Sequence, residues 1–289
     1  MRILLTGASG QLGAYLIDRA LAAGHEPVAW SGTTAGRRGD VELIPVDLTD
    51  PGATAGALDA ADPAAVIHAA AISSAEAVRL DPDRARAVNV EATGRIADWC
   101  ARRRRRLVFT STDLVFDGSR AWNREDDPAR PILAYGRTKR EAEPAVLAVP
   151  GGVVARVSLL YGPGRGGRPT FFDRALAAIR RGEPQSFFED EYRTPLDLAT
   201  AATILVRLAG SDLSGLYHVA GAERMSRFDL IRRAAGAAGL DVALVRANRR
   251  GDVPLPEPRP ADASLDTSKL AGAFPDLARP TPEGASAGT

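Results

Sequence analysis

The N-terminal stretch constrains the fold of this chain more than any other. A short apolar run, Ile3-Leu4-Leu5, leads into Gly7-Ala8-Ser9-Gly10-Gln11-Leu12-Gly13, and an apolar segment from Gln11 to about Ala22 ends at Gly24. This order predicts a buried strand, a glycine turn and a helix. Such turns let a pyrophosphate approach the backbone at a helix N-terminus. We therefore predict a doubly wound parallel α/β sheet that binds a dinucleotide; the alternative is an ordinary strand–helix turn with incidental glycines.

The end of the second strand bears on cofactor choice. Proteins that prefer NAD usually carry an acid there, which binds the ribose 2′-hydroxyl. Here Ser31 follows the strand, and Arg37 and Arg38 lie close behind it. A small hydroxyl with nearby guanidinium groups suits a 2′-phosphate, which favours NADP(H), with NAD(H) possible. The alternative places both arginines on a solvated loop.

Two further strand ends complete the predicted cofactor site. A strand over 41–46 ends at Asp47-Leu48, where the acid either accepts a hydrogen bond from the adenine amine or caps the next helix. A strand over 65–67 runs through His68 into the small residues Ala69, Ala70 and Ala71, which would let a cofactor approach. We expect His68 to bond backbone rather than to act in catalysis.

Tyr135 and Lys139 carry the predicted proton chemistry. Four residues apart on a helix, they share one face. A free phenol has a pKa of about 10, and a neighbouring ammonium lowers it towards neutrality. Only two of the 37 Lys and Arg residues are lysines, so a lysine here indicates a need for a compact cation. Ser111 and Thr112 follow the strand over 107–110; their hydroxyls hold a carbonyl or simply cap a turn.

Composition narrows the remaining function classes. A net charge of +1 gives no reason to expect nucleic-acid or membrane binding, and we interpret the arginines over 102–106 as a solvated helix end. The single cysteine, Cys100, excludes an internal disulfide. No apolar run approaches about 20 residues, and no residue pair has metal-ligand spacing. We expect a soluble cytoplasmic protein without a metal site.

With these motifs in order, the chain resembles the extended short-chain dehydrogenase/reductases. It is most similar to their dTDP-4-dehydrorhamnose reductase branch, through the segments over 111–118, 135–143, 256–260 and 264–270. The resemblance implies a deoxysugar-biosynthesis oxidoreductase with a Rossmann domain and a smaller α/β substrate lobe. It also implies that a nicotinamide cofactor gives hydride to a C4 ketone and that Tyr135 protonates the alkoxide. Lys139 would hold the nicotinamide ribose and lower the tyrosine pKa, while Thr112, with Ser111 as a second hydroxyl, would orient the carbonyl.

One departure concerns the substrate, because Leu114 stands where the branch usually has a tyrosine. The predicted cofactor-binding residues are Gly7, Ser9, Gly10, Gln11, Leu12, Gly13, Ser31, Arg37, Arg38, Asp47, Leu48, Ala69, Ala70, Ala71, Tyr135 and Lys139. The predicted substrate-binding residues are Asp113, Arg193 and Arg259. Arg193 either holds a nucleotide diphosphate or pairs with Glu189 or Asp190.

Domain boundaries follow from the predicted elements. Residues 1–162, with 196–220 returning to them, form the dinucleotide-binding domain, and 163–195 with 221–278 form the substrate lobe. A long helix is expected over about 83–104, with a buried Asn89 that ties it to a neighbouring strand. Further helices are expected over 169–181 and 196–208, and the Pro- and Gly-rich tail over 279–289 is expected to be disordered.

Three functions stay open at this point. The first is NADPH-dependent reduction of a 4-keto group on a nucleotide-linked, dTDP-type 6-deoxy sugar by a monomer or homodimer. The second is the same chemistry on a carbonyl without a nucleotide in secondary metabolism. The third is a non-catalytic NADP-binding regulatory subunit; Thr112, Tyr135 and Lys139 argue against it. Asp113, where dehydratases carry a glutamate, argues against dehydratase chemistry.

Overall fold

The computed structural model describes residues 1–165 and 167–277, and the predicted disordered tail lies outside them. The chain forms two compact units. The first comprises Met1–Thr112, Ala134–Arg156 and Ala202–Tyr217. The second comprises Asp113–Leu133, Val157–Ala201 and the described part of the chain from His218 onwards. Each unit is described separately below.

A large, mostly parallel sheet dominates the first unit. Its strands are β1 (Arg2–Thr6), β2 (Glu26–Trp30), β3 (Gly36–Arg38), β4 (Val41–Ile44), β5 (Ala65–His68), β6 (Arg106–Thr112), β7 (Gly152–Val157) and, later in the chain, β12 (Gly215–Val219). Their order in the sheet is β12-β7-β6-β5-β1-β2-β4-β3. The predicted doubly wound fold is confirmed. The strand order reverses at β1, which lies between β2 and β5, and ligands of such sheets bind at that reversal.

The edge strand β3 was not predicted. It pairs antiparallel with β4, with Arg37 opposite Glu42 and Arg38 opposite Val41. Gly-Arg-Arg has no apolar alternation, so no sequence pattern indicated a strand there. The two arginines therefore stand on an edge strand that β4 separates from β2, rather than on a loop.

Helices cover the sheet and build the second unit. They are α1 (Gln11–Ala22), α2 (Pro51–Ala61), α3 (Ala75–Leu80), α4 (Pro82–Arg86), α5 (Ala92–Arg103), α6 (Ala134–Leu147), α7 (Phe171–Arg180), α8 (Leu198–Ala209), α9 (Arg227–Ala237) and α10 (Ser268–Ala273). The helix predicted over 83–104 is interrupted by a π-helical segment, Ala87–Glu91, that contains Asn89. Such insertions recur at functional sites. The helix predicted from 196 begins two residues later because Leu196–Asp197 forms a strand, β11.

One hydrophobic core of the first unit joins the sheet to helices α5 and α6. Phe109 on β6 is fully buried, and Trp30 and Trp99 are almost so. Burying such large apolar side chains contributes about 1.5–3 kcal/mol each. Arg102, Arg103 and Arg104 are exposed at the end of α5, as predicted for a solvated helix end. Arg106 differs, because it donates to the carbonyls of Leu208 and Leu213. This core packs β5 and β6 against the C-terminal half of α6 through Val66, Leu107, Phe109, Ala142 and Val146.

The second unit combines short two-stranded sheets with helices. Its remaining strands are β8 (Leu160–Tyr161), β9 (Gln185–Phe188), β10 (Tyr192–Arg193), β13 (Met225–Ser226) and β14 (Val245–Asn248). The pairs are β10 with β13, β11 with β8, and β14 with β9. Helices α7 and α9 begin at the capping boxes of Thr170 and Ser226. Among the described residues, no helix is both long enough and apolar enough to cross a bilayer.

Candidate functional site

The glycine turn over residues 7–13 and the start of α1 form a concave backbone surface, the cradle, in the first unit. Two of its glycines leave no room for a side chain. Gly7 has φ of +71°, and a Cβ there would lie 2.8 Å from the backbone nitrogen of Ala70. A Cβ on Gly13 would lie 2.3 Å from the carbonyl oxygen of Gly7. The first glycine is therefore required by conformation and by the approach of the 69–71 loop, and the last by contact of α1 with the turn.

The N-terminus of α1 has the character of an anion site. Its N-cap is Gly10, so no side-chain hydrogen bond caps the helix, and the first turn carries no acidic residue. The Ser9 hydroxyl donates to the carbonyl of Ser31, which ties the turn to the end of β2. Backbone N–H groups at a helix start, with the positive end of the dipole, attract a phosphate. The cradle thus fits a pyrophosphate.

A buried chain of hydrogen bonds joins the end of β1, the end of β5 and the helical segment around Asn89. Thr93 has one hydroxyl proton and donates it to the Asn89 carbonyl (2.8 Å), so its oxygen accepts from His68 Nε2 at 3.0 Å. His68 Nδ1 is then an acceptor and receives the Thr6 hydroxyl at 2.7 Å. Burial, with Lys139 nearby, lowers the pKa of His68 to about 3, which keeps the ring neutral. The prediction that His68 bonds backbone is wrong, because its partners are two hydroxyls.

The same chain fixes the loop after β5. Thr6 Oγ1 accepts from the backbone N–H groups of Ala69 and Ala70, at 3.1 and 3.0 Å. Asn89 binds both backbone groups of Ile72 and donates to Thr138 Oγ1 at 3.0 Å. The tie predicted from Asn89 to a neighbouring strand instead reaches the loop after β5, at Ile72, and it extends to α6. The small-residue loop and the first turns of α6 are therefore held in one network.

The remaining predicted cofactor residues lie further along the sheet. The Ser31 hydroxyl donates to the carbonyl of Thr34, and the exposed Arg37 donates to the carbonyl of Asp40. Leu48 is buried in the core. Asp47 is exposed and accepts from the backbone and hydroxyl of Thr49, which lower its pKa.

The alternative role for Asp47 as the next helix cap is wrong. Asp50 caps α2, and its carboxylate accepts from the backbone N–H of Ala53 at 3.0 Å. Which of the two acids caps the helix depends on the residue at which the helix begins, and sequence patterns do not define that residue to better than one or two positions.

Tyr135 and Lys139 occupy consecutive turns at the start of α6, and Thr112 ends β6. Tyr135 is partly exposed, whereas Lys139 is 1% exposed. Lys139 Nζ has no hydrogen-bond partner among the described residues and lies 4.0 Å from the centre of the Phe109 ring. Burial lowers the pKa of Lys139 to about 7, against the charge of Glu143, which raises it. A buried donor without an acceptor is costly, so this ammonium fits a missing partner such as ribose hydroxyls.

Ser111 is bound to a carboxylate that the sequence did not single out. Its hydroxyl donates to Glu143 Oε1 at 2.7 Å, and Arg156 donates to both oxygens of Glu143, at 2.9 and 2.8 Å. All three residues are buried. The available signal was the spacing: Glu143 lies four residues after Lys139, on the same helix face.

In the second unit, the predicted substrate residues pair with one another or with nearby acids. Arg193 forms a two-pronged ion pair with Asp113, which also accepts from the Ser158 hydroxyl at 2.7 Å. The suggested pairing of Arg193 with Glu189 or Asp190 is wrong. Those acids bind Arg249 and Arg250 instead, because β9 and β14 are adjacent.

Glu191 forms the centre of a second ion-pair cluster in this unit. Arg259 grips it with two hydrogen bonds of 2.5 and 2.9 Å, and Arg193 Nη1 lies 3.8 Å from it. Burial raises the pKa of Glu191, but the hydrogen bond from Arg259 and the charges of Arg259, Arg193 and Arg227 together bring it below its usual value. Arg227 stacks 4.8 Å from the Phe171 ring centre. With Asp113, three arginines thus face two carboxylates, and the cluster keeps one net positive charge.

Comparison with known proteins identifies the family. The model of the RmlD substrate-binding domain matches residues 1–283. The dTDP-4-dehydrorhamnose reductase of Mycolicibacterium smegmatis is 31% identical, over 94% of this chain and 80% of its own. The methionine adenosyltransferase 2 subunit beta of Pongo abelii is 30% identical, over 93% and 81%. A crystal structure described as a hypothetical dTDP-4-dehydrorhamnose reductase from Sulfolobus tokodaii superposes with a TM-score of 0.85 at 28% identity, over 98% and 99%.

These matches span almost the whole chain, and they confirm the resemblance found in the motifs. The predicted class, an oxidoreductase that uses a nicotinamide cofactor, is confirmed at the level of the family. The chain belongs to the RmlD substrate-binding domain family, the family of the dTDP-4-dehydrorhamnose reductases.

Proposed function

We propose that the protein reduces a 4-keto group on a nucleotide-linked 6-deoxy sugar with NADPH. The observation that carries this proposal is the buried Lys139 ammonium, one turn after Tyr135, without a hydrogen-bond partner among the described residues. A cation in that place favours ionisation of a neighbouring phenol, and a bound ligand would supply the acceptor that its N–H groups need. The RmlD relatives are named for the same reaction class.

Each residue has a definite task in the proposed reaction. The glycine turn and the start of α1 would bind the pyrophosphate, and Lys139 the nicotinamide ribose. The reduced nicotinamide, when bound, supplies the hydride. Tyr135 gives its phenolic proton to the carbonyl oxygen, Lys139 stabilises the phenolate left behind, and the Thr112 hydroxyl orients the carbonyl. We assign Ser111 a supporting role, since its proton is donated to Glu143.

The two units would bind different ligands. We propose that the first unit binds the cofactor and the second the nucleotide sugar. The arginine cluster around Glu191 supports a phosphate-bearing substrate, because it retains a net positive charge. Arg193 and Arg259 already form hydrogen bonds to carboxylates. We therefore add Arg227 to the proposed substrate-binding residues.

The direct test is NADPH oxidation with a panel of dTDP-4-keto-6-deoxy sugars, followed by loss of reduced-nicotinamide absorbance. Wild-type protein is expected to turn over at least one of them. The matched variant Tyr135→Phe keeps the ring and should bind NADPH with nearly wild-type affinity while losing turnover by about 100-fold or more. NADPH binding without oxidation of any sugar would refute the proposal.

A second candidate is a non-catalytic NADP-binding subunit of another enzyme. It is favoured by the 30% identity to a methionine adenosyltransferase beta subunit. The same panel separates the two, since a regulatory subunit would bind NADPH and leave every ketone unchanged. Intact Thr112, Tyr135 and Lys139 support the reductase.

A further inference from the structure

Glu143 is a buried acid that the proposed reaction leaves without a task. It is 1% exposed and lies one turn after Lys139 on α6. Its oxygens accept from Ser111 and twice from Arg156, and the half-exposed Arg140 lies 3.7 Å away. Desolvating a carboxylate and a guanidinium is expensive, and an apolar pair often serves stability as well. A purely structural role therefore does not explain the choice of charges.

The titratable and charged groups around Lys139 come from three elements. From α6 come Tyr135, Arg140 and Glu143; from β5 comes His68, which is neutral; and from β7 comes Arg156. Glu143 is the one group among the described residues whose charge favours protonation of Lys139. Arg156 and Arg140 both pair with this carboxylate, at 2.8 and 3.7 Å, so their positive charges are offset there.

We propose that Glu143 is a positioning residue that keeps Lys139 positively charged and anchors the end of β6 through Ser111. This role rests on the proposed reduction, because only a protonated Lys139 favours the Tyr135 phenolate. Without the carboxylate, the unscreened Arg156 would drive the proton from Lys139. The Ser111 hydrogen bond adds a mechanical link, since Thr112 is the next residue on β6.

Lys139 ionisation can be read without substrate or turnover. The chain contains two lysines, Lys139 and Lys269, so protein grown with ¹³C-lysine gives two side-chain signals in NMR. Lys269→Arg leaves one and assigns it. Titrating that signal reports the protonation of Lys139 directly.

Two substitutions are expected to move this titration in opposite directions. Glu143→Gln should lower its midpoint by about one pH unit or more, because the nearby negative charge is lost. Arg156→Gln should raise it, because the carboxylate is then less neutralised. Ser111→Ala removes a hydrogen bond and no charge, so it should move the midpoint least. A folded Glu143→Gln variant with an unchanged midpoint would overturn the proposal.

A milder variant covers the case in which the buried substitutions fail to fold. Arg140 is 42% exposed, and Arg140→Gln should raise the midpoint slightly without loss of structure. A lowered or unchanged midpoint in this variant would overturn the role of Glu143.

Kinetics separates this proposal from the proposed function. In an active enzyme, Glu143→Gln should move the alkaline limb of kcat to lower pH and leave KM nearly unchanged. If no ketone is reduced while the lysine titration shifts as described, only the proposed reduction fails. If ketone is reduced and the titration stays fixed, only the role of Glu143 fails.

Discussion

Replacing Lys139 with methionine should stabilise the protein while it abolishes reduction. The methionine fills a similar volume and needs no hydrogen bond. Wild-type Lys139 has a pKa lowered from 10.5 to about 7 by burial. At about 1.36 kcal/mol per pH unit, that fall corresponds to a cost on the order of 5 kcal/mol when the folded protein carries the buried proton. Lys139→Met removes this cost, and Glu143 remains paired with Arg156.

The pH dependence of this stabilisation has a definite sign. The folded-state pKa of Lys139 lies below the unfolded value, so between about pH 7 and 10.5 the unfolded chain binds the extra proton. Wild-type stability therefore rises with pH in this window, whereas the variant lacks that rise. The advantage of Lys139→Met should shrink by about 2–3 kcal/mol between pH 6 and pH 9.

Urea unfolding at the two pH values measures this difference, followed by tryptophan fluorescence, to which the buried Trp30 and Trp99 of the first unit and the exposed Trp122 contribute. Lys269→Met is the matched control, because Lys269 is exposed and its removal should give no such pH dependence. A Lys139→Met protein that is less stable than wild type at pH 6, or that shows the wild-type pH dependence, would refute the reasoning.

Three further predictions concern the cradle and the sheet edge. Gly13→Ala should weaken NADPH binding at least tenfold, because its Cβ would lie 2.3 Å from the Gly7 carbonyl oxygen. Gly94→Ala is the control, since Gly94 lies in open space on α5 and its substitution should leave NADPH affinity unchanged. Equal NADPH affinities of the two variants by calorimetry would contradict this prediction. Arg37→Ala with Arg38→Ala should weaken NADPH more than NADH if the edge strand reaches the 2′-phosphate, and equal losses would remove that argument. Asp50→Ala should cost about 1 kcal/mol of stability with unchanged affinity, while Asp47→Ala should do the reverse; a shared loss in both assays would contradict the separate roles.

The features that the sequence predicted well depend on local pattern. The strand, glycine turn and first helix follow from apolar spacing and from conformations open to glycine, and α1 has the predicted bounds. The placement of Tyr135 and Lys139 on consecutive turns of α6 follows from helix periodicity alone. The choice of substrate rests on Leu114 and on the second unit, where local pattern carries little information.

The features that the sequence did not predict depend on tertiary partners. Asp113 and Arg193 are 80 residues apart in the chain, so their ion pair leaves no local signature. The Ser111–Glu143 bond and the two hydroxyl partners of His68 likewise join separate elements. The π-helical segment at Asn89 was unforeseen because its residues suit an ordinary helix.

Transfer of deuterium from the nicotinamide of labelled NADPH to the sugar tests the central claim most directly. Wild-type protein with a dTDP-4-keto-6-deoxy sugar should give a product that carries one deuterium at C4, by mass spectrometry and NMR, and Tyr135→Phe should give almost none. A product without deuterium at C4, or equal labelling by Tyr135→Phe, would contradict the assignment of hydride transfer with proton donation from Tyr135.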